Sequence, residues 1–523
     1  MALLRSYAFK IEERITDKAF NKLRYVLPTA AIESLKRTET RVRFLSGFLP
    51  VRYDRCINSC ICYTGPYEDL DKCPICSVDR HLPDRSPRAY FTYLPIIPRL
   101  RTLVANSSYA TKMKYRAGYQ ADPSHVGDVF DGAHYHSLLK QNITVADETL
   151  PFWFFSDPRD IALGLSTDGF GPFKLRDRTA WPIILVNYNL PPEERFQKDN
   201  IISVGVIPGP RKPVDADSYL CPLVDELLQL TIGVTAFDAL TKTVFLLRAF
   251  LLVVFGDMPA IAMIMRMKGH NAKRPCRFCK IEAIRNDVSK TLYVPLDRTG
   301  FPSASPRKYN PSALPLRSHK ELMQEAKEVQ NAMSAAASER LASEYGVKGI
   351  PLLSALSSLS FPKSFPYDFM HLIWENLIPN LILLWTGNFK NLNHSDESYV
   401  ITKTVWEAIG EATAATGKTI PAAFGAQLPN IALEKAHLTA EMRSIWTIHL
   451  APTLLRGRFQ SERYYKHFLS LVGLLNLCLE FQLSQHQIDK LEEGFKSWVT
   501  DYERYVTCLK FLAPTYRDPQ ILL

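Results

Sequence analysis

The chain has 523 residues, enough for a large hydrophobic core and for about two to four domains. Hydrophobic residues make up 46% and charged residues 22% of the sequence, which is typical of a globular protein and excludes a wholly disordered chain. The formal net charge of +10 suits a polyanion such as nucleic acid, and a basic enzyme without a polymer ligand is the alternative.

The sequence shows no targeting or membrane segment. Residues 1–6 lack the apolar core of a signal peptide. The longest apolar runs, at 244–255 and 468–481, are interrupted by polar residues and are shorter than the roughly 20 residues of a membrane span. We therefore expect a soluble intracellular protein, in which the ten cysteines are metal ligands or free thiols rather than disulfides.

Changes in composition divide the chain into five expected segments. Patterns at 16–25, 30–36 and 101–119 predict helices, and a stretch rich in proline and serine at 297–317 marks a boundary. The segments are a basic helical segment at 1–50, a zinc ribbon or knuckle at 51–82, a connector rich in proline and aromatic residues at 83–150, a strand-rich core at 151–300, and a mainly helical region at 301–523.

The second segment carries two closely spaced cysteine pairs, Cys56 with Cys60 and Cys73 with Cys76. Each pair can bind one edge of a tetrahedral Zn²⁺ ion, so the spacing predicts one structural zinc site, with free or buried thiols as the alternative. Cys62 can replace Cys60, and His81 is a weaker substitute ligand. The pattern is equally compatible with docking of nucleic acid or a partner and with a purely structural role.

The strand-rich core predicts three strands, a helix and a fourth strand, at 161–168, 181–190, 201–208, 219–230 and 249–255. Asp168 ends the first strand, and Asp257 follows the fourth. This is the layout of a ribonuclease-H-like nuclease core, so we expect an α+β fold with a mixed sheet. Carboxylates at neighbouring strand ends suit two Mg²⁺ or Mn²⁺ ions. The alternative is that both aspartates are turn residues, before Gly169 and before Met258.

Further patterns follow the fourth strand. Cys276 and Cys279 supply half of a zinc site, which needs two ligands from elsewhere. Residues 318–321 match a capping box that opens a long helix to about residue 345, and helices are expected at 369–384, 440–455, 464–481 and 487–508. No phosphate-binding loop, dinucleotide fingerprint or nucleophile elbow occurs in the sequence, so no nucleotide cofactor is expected.

One helical face in the last region carries Asp368, His371 and Glu375, at offsets of three and four residues. This spacing is typical of a metal-binding face. It is equally typical of a helix N-terminus with a hydrogen-bonded histidine.

Several ordered sequence phrases resemble the transposases of CACTA (En/Spm-like) DNA elements, most closely their fungal branch. The phrases extend over about residues 40–500 and lie at 56–76, 165–170, 181–192, 207–210, 222–227, 256–260 and 276–279. The resemblance implies a DDE/D cut-and-paste recombinase with a ribonuclease-H-like core, in which Asp168 and Asp257 are the first two catalytic acids. It also implies that a downstream histidine pair completes the zinc site of Cys276 and Cys279, and that the helical region is an insertion before the third acid.

The expected partner is DNA at the transposon ends, the expected compartment is the nucleus, and a homo-oligomer is left open. After Arg504 the sequence departs from the family pattern, because residues 515–523 lack the expected histidine pair and glutamate. Glu375 lies too early in the pattern to be a convincing third acid. We therefore expect a transposase-like DNA-binding protein that is truncated and weakly active or inactive. The alternatives are a non-catalytic derivative that binds DNA or protein through its zinc ribbon, and an unrelated helical scaffold with a structural zinc.

Overall fold

The computed structural model describes residues 2–146, 148–171, 179–269, 272–285, 292–299, 301, 304–389, 397–419, 421, 425, 427–434 and 437–505. The chain forms two compact units. The first comprises Met1–Gly118, Gln141–Leu252 and Ala355–Ser358, and the second comprises Tyr119–Lys140, Val253–Ser354 and Leu359–Leu523. None of the helices in the described ranges has the length and apolar content that crossing a membrane requires.

The strands in chain order are β1 (Val51–Asp54), β2 (Tyr90–Tyr93), β3 (His125–Val126), β4 (Asn142–Val145), β5 (Glu148–Trp153), β6 (Ile161–Thr167), β7 (Ala180–Asn187), β8 (Ile202–Pro208), β9 (Val234–Asp238), β10 (Thr243–Leu247), β11 (Ala249–Phe255), β12 (Ile284–Arg285), β13 (Leu292–Tyr293) and β14 (Leu483–Ser484).

The α-helices are α1 (Ala2–Glu12), α2 (Asp17–Val26), α3 (Leu35–Ser46), α4 (Ile97–Ala105), α5 (Ser107–Lys112), α6 (Tyr115–Gly118), α7 (Ala133–Leu138), α8 (Pro192–Arg195), α9 (Asp217–Ile232), α10 (Met258–Ile264), α11 (His319–Gln330), α12 (Ala335–Tyr345), α13 (Ile378–Trp385), α14 (Lys403–Ala415), α15 (Ala440–Ile445), α16 (Ala451–Leu454), α17 (Glu462–Cys478) and α18 (Gln485–Tyr505). Two π-helical segments, Met370–Leu377 and Trp446–Leu450, lie before α13 and between α15 and α16.

A six-stranded sheet of order β1–β2–β8–β7–β6–β11 organises the first unit. β6, β7 and β8 are antiparallel neighbours, with Leu165 opposite Leu185. The N–H of Ile161 donates to the Arg248 carbonyl at 2.9 Å, so β6 and β11 begin side by side and run in the same direction. β6 is almost wholly buried, which explains its nearly continuous apolar sequence. The chain therefore has an α+β fold with a mixed sheet, as predicted.

Strands β2 and β8 of this sheet approach each other closely. Gly205 of β8 pairs with Tyr93 of β2. A Cβ atom at Gly205 would come within 2.8 Å of the Phe91 ring and 2.9 Å of the Thr92 carbonyl oxygen. Only glycine therefore lets β2 lie against β8, and β2 and β1 extend the sheet beyond the four strands that the sequence predicts.

The N-terminal helices begin where side chains cap them. α2 agrees with the helix predicted at 16–25, because the Thr16 side chain accepts a hydrogen bond from the Ala19 N–H. The helix predicted at 30–36 is wrong. Ser34 instead caps α3 by accepting from the Arg37 N–H, so the helix begins at Leu35.

The second unit is mainly helical, and its helices α11 and α12 begin at capping serines. Ser318 accepts a hydrogen bond from the Glu321 N–H and starts α11, as the capping box predicts. The single long helix predicted to about residue 345 is wrong, because Ser334 accepts from the Ala337 N–H and starts a separate helix, α12. The later helices of this unit pack around buried aromatic side chains such as Trp446.

Candidate functional site

The first cysteine pair and the second pair lie on two similar tight turns. The N–H of Ser59 donates to the Cys56 carbonyl at 2.8 Å, and the N–H of Ser77 donates to the Cys73 carbonyl at 2.9 Å. Both serines have positive φ, at 61° and 58°, so each turn uses a left-handed residue to close. Two closed turns of this kind present their thiols toward one point.

The two turns bring four thiols together, those of Cys56, Cys60, Cys73 and Cys76. Their sulfur atoms all lie within 4.8 Å of one another, and those of Cys56 and Cys76 are 3.4 Å apart. A tetrahedral zinc ion with Zn–S bonds of about 2.3 Å places its sulfurs about 3.8 Å apart. These four cysteines can therefore hold a metal such as zinc. Within the described part of the chain, no other group brings three or more His, Cys, Asp or Glu side chains this close.

The two substitute ligands considered from the sequence lie outside this group. Cys62 is buried, its thiol donates to the Asp54 carbonyl at 3.4 Å, and its N–H donates to the Ser218 hydroxyl at 2.9 Å. The Nε2 atom of His81 lies 3.4 Å from the Asp54 carboxylate. Both residues therefore contact Asp54 beside the turns and do not belong to the group of four thiols.

The pKa values of the Cys56, Cys60 and Cys76 thiols are shifted in different directions. Burial raises the pKa of Cys56 and of Cys60. Burial also acts to raise the pKa of Cys76, but hydrogen bonds from the Val78 N–H and the Asn58 side chain outweigh it and bring that pKa to about 6. At neutral pH the low pKa of Cys76 favours its thiolate, whereas the raised pKa values of Cys56 and Cys60 favour their protonated thiols.

The first cysteine turn is fixed to the sheet and to the segment that leads into α9. The Ser59 hydroxyl donates to the Pro208 carbonyl at 2.6 Å, and Pro208 is the last residue of β8. The N–H groups of Val214 and Asp215 both donate to the Cys60 carbonyl, at 3.2 and 3.0 Å. No local sequence pattern predicts these bonds, since they join residues about 150 positions apart.

The two predicted catalytic acids follow the strands as expected, and each has a local hydrogen bond. Asp168 comes directly after β6, is half-buried, and accepts from the Gly169 N–H at 2.6 Å. A Cβ at Gly169 would come within 2.3 Å of the Trp181 ring, so this turn requires glycine. Asp257 lies two residues after β11 and caps α10, accepting from the Ala260 N–H at 2.6 Å. Asp168 belongs to the first unit and Asp257 to the second.

The capping role of Asp257 also has a signal in the sequence. An aspartate followed within two residues by proline is a typical helix start, because Asp is a good N-cap and Pro suits the first turn. Asp168 thus bonds within its turn and Asp257 caps a helix, so each has a local structural role.

The pair Cys276 and Cys279 forms a separate arrangement in the second unit. The Cys276 sulfur accepts hydrogen bonds from the N–H groups of Phe278 and Cys279, both at 3.3 Å, and lies 3.5 Å from the Tyr367 hydroxyl. The hydrogen bond with the Cys279 thiol is the main cause that lowers the pKa of Cys276, to about 6. No third metal ligand joins the pair among the described residues, and His270 and the C-terminal residues 506–523 lie outside them. The half zinc site stays a prediction.

The predicted metal face at Asp368, His371 and Glu375 has other partners. The Asp368 carboxylate bonds the N–H and the Nδ1 atom of His371, at 3.1 and 2.9 Å. The Glu375 carboxylate forms an ion pair of 2.6 Å with Arg443. The three side chains do not form a metal-ligand group in the described structure, and the hydrogen-bonded histidine agrees with the alternative interpretation.

No curated protein matches the sequence. Residues 136–336 match the model of a family described as "Transposase family tnp2". The matched range contains Asp168, Asp257, Cys276 and Cys279 and leaves the four-cysteine group outside it. Over residues 136–336 the chain is thus similar to the transposase family tnp2, which supports a transposase-like function and implies DNA as a partner.

Proposed function

We propose that this chain is a transposase-like DNA-binding protein of a CACTA (En/Spm-like) element that acts in the nucleus. The observation that carries the proposal is the match of residues 136–336 to the transposase family tnp2. The net charge of +10 supports a polyanionic partner, since basic side chains provide most of the affinity for a phosphate backbone. The ordered phrases at 165–170 and 181–192 support the CACTA lineage and its fungal branch.

The core of the proposed enzyme is ribonuclease-H-like. Three antiparallel strands in the order β8–β7–β6, followed by β11 beside β6 and in the same direction, support this fold. Asp168 after β6 and Asp257 after β11 are its first two acids in this proposal. Bound Mg²⁺ or Mn²⁺ ions would activate the attacking water and stabilise the charge of the phosphodiester in the transition state.

The local bonds of the two aspartates are compatible with this role. A carboxylate has two oxygens with about four lone-pair sites, so a bond from a backbone N–H does not by itself exclude a cation. The bond from Gly169 to Asp168 and the bond from Ala260 to Asp257 also restrict the rotation of each carboxylate. A restricted carboxylate loses less conformational entropy when it binds a metal ion.

A second candidate is a non-catalytic DNA-binding derivative. It is favoured by the capping bond of Asp257, which gives this residue a structural role, and by the ion pair of Glu375 with Arg443, which occupies the carboxylate considered as a third acid. In this case the four-cysteine group stabilises the protein that binds DNA and no strand is cut.

The test compares binding and cleavage on duplexes that carry the ends of a CACTA element. The full chain is loaded with zinc and assayed with Mn²⁺ by gel shift and by nicking of end-labelled strands. We expect binding that weakens steeply with salt, and at most weak nicking that Asp168→Asn and Asp257→Asn abolish without weakening binding. Asp84→Asn is the matched control, because Asp84 is exposed and also accepts a hydrogen bond from a nearby backbone N–H, that of Ser86.

Each outcome selects one interpretation. Nicking that depends on Asp168 and Asp257 supports the transposase. Binding without nicking by the unchanged chain supports the non-catalytic derivative. Absence of binding even at low salt overturns both and favours a helical scaffold with a structural zinc.

A further inference from the structure

The first unit contains a cavity of about 610 Å³ that lies outside the sites described so far. Its walls come from α1, α3, α4 and α5 and from the ends of β7 and β8. This volume falls within the roughly 300–1,000 Å³ of typical small-molecule sites. The cavity is large enough for a ligand and is separate from the cysteine group, Asp168 and Asp257, none of which lines it.

The walls are mainly aromatic and aliphatic. Their contributors include Tyr7, Val42, Phe48, Leu103, Tyr109 and Ile202. The Tyr109 hydroxyl donates to the Asn200 side chain, which fixes the orientation of that ring. Such walls favour a flat, largely apolar group that can stack on aromatic rings.

One buried polar group in the wall lacks a partner. Asn187 is the last residue of β7, lines the cavity, and is only 1% exposed. Its Oδ1 atom accepts from the Asn189 N–H at 3.0 Å, which fixes which end of the amide is nitrogen. No acceptor among the described residues lies within hydrogen-bond distance of its Nδ2 atom. A buried donor without an acceptor is unfavourable, so a ligand that presents an acceptor here would be bound more tightly.

The charges at the cavity oppose a polyanionic ligand. Arg99 donates to the backbone carbonyls of Leu94, Pro95 and Ser203 and is therefore already engaged. The remaining charged lining residues carry both signs, Arg43 against Glu39 and Asp199. The cavity thus suits an uncharged group, and a free nucleoside triphosphate would meet the two acids.

The surface beside the cavity is basic. Helix α3, which forms one wall, exposes four basic side chains: Lys36, Arg37, Arg41 and Arg43. Arg37 and Arg41 share a single acidic neighbour, Glu33, at 3.3 and 3.7 Å. An aromatic cavity next to a basic helix is the combination that binds single-stranded nucleic acid, with bases stacked and phosphates on the basic residues.

We propose that this cavity binds a nucleobase, which stacks on the aromatic walls and accepts a hydrogen bond from Asn187 Nδ2. The base can come from an unpaired position of a DNA strand or from a free nucleoside. The observations favour the strand, because helix α3 offers basic side chains for its phosphates. This choice of source rests on the proposed DNA-binding function, whereas the base-binding cavity itself does not.

The test uses the fluorescent base 2-aminopurine in the full-length protein. It is placed as an unpaired base in a duplex, as a paired base in the matched duplex, and as the free nucleoside. Binding of each DNA is followed by anisotropy of a dye at the far end, and insertion of the base by the change in 2-aminopurine fluorescence. Of the two duplexes, we expect only the one with the unpaired base to change its fluorescence, and we expect it to bind about tenfold more tightly than the matched duplex.

Two variants and a control probe the cavity. Val42→Trp fills it, and Asn187→Leu removes the amide donor. Both should abolish the fluorescence change and the preference for the unpaired base while binding of the matched duplex persists. Thr40→Trp is the control, since Thr40 is exposed on the same helix and does not line the cavity. Thermal unfolding of each variant shows whether it is folded. If Asn187→Leu does not fold, the result with Val42→Trp decides whether the cavity binds the base.

The outcomes separate this inference from the proposed function. Equal DNA binding with no fluorescence change overturns the nucleobase site and leaves the DNA-binding function intact. No DNA binding, but saturable binding of the free nucleoside that Val42→Trp abolishes, keeps the site and overturns the function. No response to any of the three probes overturns both.

Discussion

The Ser59 hydroxyl donates a hydrogen bond of 2.6 Å to the Pro208 carbonyl, which fixes the first cysteine turn to the end of β8. The Cys60 carbonyl accepts two further N–H groups from the segment that leads into α9. A metal ion that joins this turn to the second one would therefore hold the sheet and the following helix together. The four-cysteine group is better explained as a structural element of the first unit than as a detached docking module.

Removing two of the four thiols should therefore destabilise the protein. We expect Cys73→Ser combined with Cys76→Ser to lose the bound zinc and to lower the free energy of unfolding by roughly 4 kcal/mol or more, since loss of a structural metal is among the most damaging changes. Zinc content measured by atomic absorption and unfolding in urea check this expectation. A chelator should lower the stability of the unchanged protein in the same way.

Cys478→Ser is the control for this double variant. Cys478 lies at the end of α17, is half-buried, and belongs to the second unit, so the same chemical change there should leave zinc content unaltered. A double variant that loses zinc and DNA binding but keeps its stability would contradict the structural role. It would instead support the interpretation that the four-cysteine group docks DNA.

Zinc binding should strengthen with rising pH. Burial raises the pKa of Cys56 and Cys60, so both are protonated at neutral pH and must release protons to bind the ion. Cys76 has a pKa of about 6, so it is protonated, and releases a further proton when zinc binds, only in acidic solution. Calorimetry in buffers of different ionisation enthalpy should show more protons released per zinc at about pH 5 than at about pH 8. An equal number at both pH values would contradict the low pKa of Cys76.

The sequence predicted those parts of the fold and site that depend on local pattern. Strand β6 is buried on both faces and is therefore apolar along its length, so its position was predicted to within one residue. The four cysteines were found because zinc restricts ligand type and spacing. The helix start at Ser318 was predicted because a capping box is also a pattern of residues close together in the sequence.

The rest depends on contacts between residues far apart in the sequence. β2 joins β8 because Gly205 lets Phe91 approach, and neither segment shows this alone. The hairpin of β9 and β10 was missed because its exposed face carries Phe237 and Val244, so its strands do not alternate polar and apolar residues. The burial of Asn187 at the cavity is likewise set by packing and not by its neighbours in the chain.

The capping role of Asp257 and its proposed catalytic role can be separated by substitution. Asparagine keeps a side-chain oxygen for the Ala260 N–H but removes the charge, whereas alanine removes both. We expect Asp257→Asn to retain the stability of the unchanged protein and to abolish nicking with Mn²⁺. Asp257→Ala should lose about 1 kcal/mol of stability as well. Urea unfolding and the nicking assay check both variants. Full nicking by a stable Asp257→Asn would exclude Asp257 as a catalytic acid.

The carboxylate of Glu375 should contribute to stability and not to catalysis. It forms an ion pair of 2.6 Å with Arg443, and its side chain is 36% exposed, so solvent screens part of the attraction. We expect Glu375→Gln to lower the free energy of unfolding by less than about 1 kcal/mol and to leave nicking with Mn²⁺ unchanged. Glu407→Gln is the control, because Glu407 also pairs with a basic side chain, Lys403, but at 3.7 Å and in a more exposed position. Loss of nicking in Glu375→Gln alone, with DNA binding and stability retained, would instead identify Glu375 as the third acid.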